Sequence, residues 1–481
     1  MLDSLFSNYF PFELNKDQEV AFLNMVSFLE NHNFHIFQLI GYAGTGKTTL
    51  VGGFLKYLKE REIPFYLLAS TGRAAYVLEK KTGVNASTVH SLIYKYTTLN
   101  VQLSEVEEEL LKKSKDDLRP ILLHFTIKTE INSGKNVYII DESSMLGIKN
   151  ENSGSFGLFG TGNLLQDLIS RDPDSKFIFI GDPCQLPPFN LAHSPALDNH
   201  YFLETFKRPT WQYVLKTVVR QGKENGILSV ATKLRLLVEK PPNIAFPKLP
   251  VKGFNNIHLL ADEKGLLDSY FEKIREGKEN ETILICHTNR RCQTANQYLR
   301  EKLFLNPNRL MVGDRYLVTQ NNLITGLQNG DMVKLLQIGI AEVRCGLTFR
   351  QVTLEGIGNK THYNHFIIED LLSLPQANIT EMQQRSLLID FSKRMKTFQI
   401  YQDTEEFNYA MTKDPYLNAL KVTYGWALTC HKAQGGEWEE VYLLQDGKIY
   451  FLRSPQIYKW WYTAVTRASK ELYLINNSIL R

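Results

Sequence analysis

The chain has 481 residues, 43% of them apolar, enough for roughly three domains with cores of ordinary size. A balance of 55 Lys plus Arg against 51 Asp plus Glu leaves a formal charge of +4, too small to establish a polyanionic partner by itself, although a local basic groove fits inside it. Five cysteines, with no CxxC pair and no matched histidine spacing, argue against a disulfide frame and against a zinc or iron–sulfur site, and point to a reducing, cytoplasmic setting.

The N-terminal stretch MLDSLFSNYFPFELNKDQ carries acidic residues and no basic segment ahead of an apolar core, so it does not read as a secretory leader. No later apolar run approaches the roughly 18 residues of a membrane span, and no membrane partner is expected. Short apolar runs then end at polar or glycine-rich loops: HIFQLI before Gly41, PFYLLAS before Thr71, NVYII before Asp141 and KFIFI before Gly181. Each predicts a buried parallel strand. Helical segments such as Lys47 through VGGFLKYLKER separate them, the alternation of a doubly wound α/β sheet with its ligands at the carboxyl ends of the strands.

Between these strands, EVEEELLKKSKDDLR sets Glu108 four residues from Lys112 and Glu109 four from Lys113, which predicts a solvated helical insertion. The glycine- and serine-rich NSGSFGLFGTGN from Asn152 predicts a loop. A second set of strand-like runs follows in ETILICHTN, KVTYGWALTC, EEVYLLQD and KELYLINN, so two α/β domains are expected. Inside the second, Met332 to Ile357 alternates apolar and polar residues around glycines, which predicts a small antiparallel sheet or barrel, and Thr380 opens a helix in ITEMQQRSLLIDFSKRM. Trp426 and Trp438 read as packing residues rather than base stackers.

Gly41, Gly46, Lys47 and Thr48 complete G-x-x-x-x-G-K-[ST], with Gly44, Thr45 and Thr49 filling out GYAGTGKTT between a strand and a helix. Glycines let backbone N–H groups wrap phosphates, Lys47 neutralises β/γ oxygens, and Thr48 offers an oxygen to Mg²⁺. Asp141 and Glu142 end the strand NVYII, so the aspartate can complete the magnesium shell while the glutamate orients or deprotonates the attacking water; the blander reading is a helix cap. Gln185 in GDPCQLPP is a candidate γ-phosphate sensor on a proline-stiffened loop, where a Gly-Asp-Pro turn is also ordinary loop chemistry.

The series GYAGTGKTT, STGRAA, STVHSL, IIDESSM, GDPCQLPP, VVRQ, NGD, LTCHKAQGGEW and YTAVTRA, in this order, resembles superfamily one helicases of the RecD/Dda branch. The resemblance spans LNKDQ at Leu14 to YTAVTRA at Tyr462. It implies two RecA-like P-loop motor domains with inserted subdomains, ATP and Mg²⁺ in the cleft between them, single-stranded DNA across their tops and 5′ to 3′ travel. On that basis residues 1–95 and 134–215 form motor domain 1A and 96–133 a pin-like insertion 1B. Residues 216–335 and 421–481 form motor domain 2A, with 336–420 as an SH3-like β insertion 2B. Gln18 in LNKDQ is implied to read the adenine and Glu437 in GGEW to touch the ribose. Arg220 in VVRQ and Arg467 in YTAVTRA are implied to reach the γ-phosphate. Thr71, Arg73, His90, Thr429, His431 and Gln434 are implied to face the nucleic acid, with core-packed histidines as the alternative for His90 and His431. Three positions depart from the family pattern: Ser70 stands where proline usually precedes TGRAA, Val219 where an aromatic precedes the motif arginine, and Ala433 where serine is usual. The missing proline removes a φ-locked contact near the strand.

The implied activity is an ATPase that is stimulated by single-stranded DNA, translocates and unwinds, in DNA repair or recombination. Its partners would be single-stranded DNA, duplex junctions and a single-strand-binding or repair or replication protein, acting on a monomeric chain. A superfamily one RNA helicase and a non-translocating accessory ATPase are the alternatives. A small-molecule kinase fits less well, because it needs neither Arg467 nor the Gln434 loop.

Overall fold

The computed structural model describes residues 2–112, 121–129, 134–148, 157–219, 225–243, 248–374, 378–445, 449, 452–477 and 480, the side chains of 2–5 and 108–112 excepted. The four apolar runs of the N-terminal half form the heart of a six-stranded sheet, in the order Ser87–Thr88, Phe65–Ala69, Val137–Asp141, Lys176–Gly181, Ile36–Gly41 and Thr210–Leu215. All its pairings are parallel. Its central strands are apolar on both faces because helices cover both: Phe37, Leu39, Ile139 and Ile178 pack against Phe22, Phe54 and Leu58, while Ile36, Ile140, Phe177 and Phe179 pack against Leu165, Leu168 and Phe202. Gly41, Asp141 and Gly181 therefore arrive together at one edge. The edge strands Ser87–Thr88 and Thr210–Leu215 were not among the sequence expectations, being too short or too polar to stand out.

A second parallel sheet runs Ile257–Leu260, Ala468–Ile475, Trp438–Leu444, Thr282–Cys286 and Ala427–Thr429. The run KVTYGWALTC, read as one strand, is divided: Val422–Tyr424 joins an antiparallel sheet and Ala427–Thr429 the parallel one. The break falls at Gly425, where an added Cβ would lie 3.0 Å from the Tyr316 carbonyl carbon.

The antiparallel sheet expected from the alternating segment has the order His362–Ile368, Leu347–Gly356, Met332–Arg344, Arg315–Val318 and Val422–Tyr424. It begins at Arg315 and ends at Tyr424, on either side of the 336–420 span read from the sequence. Its long hairpin turns at Cys345 and Gly346, both with positive φ (52° and 73°), as a two-residue turn between twisted strands requires. Thr380 caps the helix Glu381–Thr397 in a reciprocal box with Gln383.

Residues 94–99 and 123–127 pair antiparallel, and Gly157–Phe159 adds a parallel strand where a loop was expected. The helix Leu103–Lys112 is not simply solvated: Leu103 and Val106, with Leu99 and Ile121, pack against Leu388, Phe391, Phe407 and Met411 of the second insertion. Gln402 ties the two backbones, accepting from Leu103 N at 2.7 Å and donating to Val101 O at 2.8 Å. The proposed Glu108/Lys112 and Glu109/Lys113 pairs lie outside the described side chains.

One buried ion pair roots the antiparallel sheet in the second domain. Arg300, 1% exposed, meets Asp314, 0% exposed, at 2.9 Å. Asp314 also accepts from Trp426 Nε1 at 3.0 Å, and the guanidinium lies 3.8 Å from the Tyr424 ring centroid. Asp314→Ala would leave a buried guanidinium without its carboxylate, a loss of about 3–5 kcal/mol. Thermal unfolding and limited proteolysis of residues 315–424 should both report it.

Candidate active site and nucleic-acid interface

The phosphate loop joins the strand Ile36–Gly41 to the helix Lys47–Glu60. Gly44 and Gly46 take φ of 78° and 84°, a conformation that favours glycine, and no side chain caps the helix, so its first-turn N–H groups are open to an anionic ligand. Lys47 Nζ is folded onto the loop, donating to Gly41 O at 2.7 Å and Tyr42 O at 3.2 Å. Thr45 Oγ1 donates to the same Tyr42 carbonyl at 2.9 Å. Thr48 and Thr49 occupy the first turn of the helix. Gln18 is 2% exposed; its Nε2 donates to Thr45 O at 3.2 Å and its Oε1 accepts from Asn15 N, so both ends of this expected adenine reader are engaged within the protein.

Asp141 closes its strand and accepts from Glu142 N at 2.8 Å. Burial first, then the adjacent Glu142, pushes its carboxyl up to about 6, against the favourable field of Lys47. Glu142 stands at φ 51°, an unusual conformation for a glutamate, which bends the chain off the sheet beside the phosphate loop. The donor set suits Mg²⁺: a buried carboxylate and a hydroxyl-bearing threonine at the first helical turn. Gln185 is 3% exposed and its Oε1 takes no hydrogen bond. A buried amide oxygen without a partner is expensive unless a ligand completes it.

The second domain closes onto this edge. Tyr42 and Ala43 of the phosphate loop, with Cys184 and Leu186 of the Gln185 loop, pack into the apolar core built by Leu428, Trp438, Trp460 and Trp461. Gln434, 1% exposed, donates from Nε2 to Leu186 O at 2.9 Å, and Thr463 Oγ1 accepts from Leu186 N at 2.9 Å. Gly435, at φ 75°, abuts the helix Gly72–Thr82: a Cβ there would lie 2.6 Å from Ala74 Cβ. Glu437 pairs with Lys81 of that same helix at 2.8 Å.

Of the two implied arginines, Arg467 is the one among the described residues. Arg467, 6% exposed, is held in the second domain by Thr463 O and Gly436 O, each at 3.1 Å. Arg220 lies outside the described residues; Val219 before it donates to Gly44 O at 2.8 Å, which brings the chain alongside the phosphate loop. Ala433 is fully buried in the second-domain core, where a serine hydroxyl would need a partner.

Among the expected strand-facing residues, Thr71 caps the helix Gly72–Thr82 through Ala74 N at 3.2 Å, and Arg73 stacks 4.2 Å from the Trp438 ring, which makes Trp438 a packing partner. Thr429 Oγ1 accepts from Lys432 N at 3.4 Å. His431 lies edge-on to Phe189, centroids 6.4 Å apart; Phe189 is 58% exposed and is not among the residues singled out from the sequence. His90 sits between Tyr94 and Phe159 at 5.8 and 5.9 Å, a core-like setting, and burial holds its imidazole down to about 4.

Two family models match the chain in order: an AAA domain over residues 13–236 and a UvrD-like helicase C-terminal domain over 424–475. Together they take in the phosphate-loop sheet and the strands and helix that close on it. The chain thus carries an AAA domain followed by a UvrD-like helicase C-terminal domain. It is 23% identical to the ATP-dependent DNA helicase Pif1 of Psychrobacter, over 82% of this chain and 60% of that one. It is 26% identical to the ATP-dependent DNA helicase dda of phage T4, over 63% of this chain and 60% of that one. The chain thus spans about 60% of the length of both. An uncharacterised protein of Acanthamoeba polyphaga mimivirus is 21% identical over 95% of this chain and 99% of its own. Among solved structures, Pif1 helicase from Bacteroides in complex with ADP-AlF3 and single-stranded DNA is 16% identical, with 96% of this chain and 92% of that chain covered and a TM-score of 0.48.

Two outcomes test this arrangement. Gly435→Val adds both an unfavourable φ and a collision with Ala74, together roughly 1–3 kcal/mol against closure. Hydrolysis should fall by roughly tenfold or more, since each 1.4 kcal/mol is a factor of ten, while binding of a fluorescent ATP analogue is retained. His90 is depressed below its unfolded value of about 6.5, so its contribution to stability is complete above that pH and is lost as pH falls toward 4. The drop in melting temperature between pH 7 and pH 5 should be smaller for His90→Asn.

Proposed function

We propose that this chain is an ATP-driven motor that travels 5′ to 3′ along single-stranded DNA and opens duplexes at junctions. The observation that carries the reading is the seam at the phosphate loop, where Tyr42, Ala43, Cys184 and Leu186 of one domain are packed into the core of the other. A cleft walled by two sheets makes hydrolysis depend on domain seating, which a single-domain switch or a small-molecule kinase does not require. Both walls come from one chain, so a monomer suffices.

In this reading the amides around Gly41, Gly44, Thr45 and Gly46 cradle the phosphates, and Lys47 exchanges its loop carbonyls for β/γ oxygens. Thr48 and Asp141 hold Mg²⁺, which when bound spreads the charge of the phosphate oxygens. Glu142 orients or deprotonates the attacking water, and the unpartnered Oε1 of Gln185 accepts from it. Arg467 supplies a second-domain cation and Arg220 another, both contributing where negative charge builds in the transition state. Gln18 and Glu437 border the nucleoside.

The strand would cross Thr71, Arg73, Thr429, His431 and Gln434, with His90 behind them. The rings of Phe189 and His431 suit sequence-neutral stacking. Arg73 is already stacked on Trp438, so its share in gripping phosphate depends on leaving that ring.

DNA and RNA duplexes with a 5′ or a 3′ tail, run beside Lys47→Ala, provide the test. Efficient opening of 5′-tailed DNA alone, abolished by Lys47→Ala, is the expected result. Opening confined to 3′ tails would reverse the polarity, preference for RNA tails would move the substrate to RNA, and an ATPase indifferent to single strands would remove the motor. Gln434→Ala should lower strand movement per ATP hydrolysed more than it weakens ATP binding, because it severs the bond to Leu186 O.

A further inference from the structure

The peptide unit between Tyr42 and Ala43 is gripped at both ends by different domains. Its carbonyl accepts from Lys47 Nζ at 3.2 Å and from Thr45 Oγ1 at 2.9 Å, both inside the phosphate loop. Its N–H donates to the hydroxyl of Tyr462 at 2.9 Å, on the helix Gln456–Val465 of the second domain. That hydroxyl in turn donates to Asp182 Oδ2 at 2.5 Å, and Asp182 Oδ1 accepts from Cys184 N at 2.9 Å, at the start of the Gln185 loop.

Tyr462 is 1% exposed and Asp182 0%, so water does not substitute for either bond. Burial raises the Asp182 carboxyl, opposed by Lys47 and by the tyrosine bond. Tyr42 is fixed independently: its ring lies 4.2 Å from the guanidinium of Arg235, and its hydroxyl bonds Glu239, both on the second-domain helix Gly226–Glu239. Neither Tyr462 nor Asp182 has a part in the assignments above, although both sit in motifs already singled out.

A peptide plane turns as a unit, because its C–N bond has double-bond character. Whatever holds the Ala43 N–H therefore also aims the Tyr42 carbonyl at Lys47. We propose that Tyr462 is a positioning residue: its hydroxyl, delivered by the second domain, sets the Tyr42–Ala43 peptide and through Asp182 the Gln185 loop, so that Lys47 and Gln185 are aligned together only when the domains are seated. The proposal deepens the motor reading and rests on it for the identity of the ligand. Its chemistry is the passage of a hydrogen-bond constraint, with no proton transferred.

The test compares Tyr462→Phe, Asp182→Asn and the double variant with the wild-type chain. The measurements are DNA-free and single-strand-stimulated ATPase (kcat and KM separately), binding of a fluorescent ATP analogue, and melting temperature. Tyr462→Phe removes two buried hydrogen bonds, from Ala43 N and to Asp182, the second of them charge-assisted, and kcat should fall about tenfold or more, with KM and analogue affinity changed by less than about threefold and melting little altered. Asp182→Asn, which keeps a neutral acceptor, should fall less, and the double variant should be no worse than Tyr462→Phe alone, the non-additivity expected of one relay.

An unchanged kcat in Tyr462→Phe overturns the proposal. So does a parallel loss of kcat, analogue binding and melting temperature, which would make Tyr462 a packing residue only. If Tyr462→Phe does not fold, Asp182→Asn decides by the same split. Should wild-type ATPase ignore single strands, the motor reading fails on its own, and the DNA-free kcat of the variants still decides whether Tyr462 positions the loop.

Discussion

A phosphate-binding loop has to leave its amides exposed to a ligand, so it cannot be buried in the core of its own domain. In this chain the outer half of the loop packs instead against the core of the other domain. Tyr42 and Ala43 pack beside Leu428, Trp460 and Trp461, and the Gln185 loop joins them through Cys184 and Leu186. Apolar contact supplies most of the hold, while the bonds through Gln434, Thr463 and Tyr462 fix its register. The Gln185 amide, proposed above to face the nucleotide, lies between Cys184 and Leu186, two residues of this seam.

The seam also explains the glycines of GGEW. Gly435 is pressed against Ala74, and Gly436 lies beneath Arg73 and Trp438, so the helix that begins at Gly72 lies directly on the second domain. Farther out, the inserted sheet is rooted by Arg300, Asp314 and Trp426, and its helices meet the first-domain insertion through Leu388, Phe391 and Phe407. The two motor domains are thus in contact at the cleft and again through their insertions.

Much of this was legible in the sequence. The four strands ending at Gly41, Thr71, Asp141 and Gly181 stood out because parallel strands buried on both faces are continuously apolar, and the phosphate loop because its chemistry is local. Thr380 marked its helix for the same reason, since a cap is a short-range bond. What escaped was tertiary. Tyr462 and Asp182 are 280 positions apart, and no spacing rule joins a hydroxyl to a carboxylate over that distance. The division of KVTYGWALTC follows from the close approach of Gly425 to Tyr316, invisible in a run that alternates well enough for either sheet. The helix at Leu103 looked solvated because its charged face is obvious, while Leu103 and Val106 meet their partners only across the fold.

Lys47 carries one more implication. Its ammonium is not waiting in water; it is shared between the carbonyls of Gly41 and Tyr42. Engaging a ligand is then an exchange of acceptors, in which two neutral dipoles must be outbid by negative oxygens. A singly charged anion offers little over that pair, whereas a polyphosphate, bringing several charged oxygens to one ammonium, offers much. On the proposed reading, discrimination against the simple anions of the cell would begin at the two carbonyls that hold this side chain, before any base or sugar is recognised.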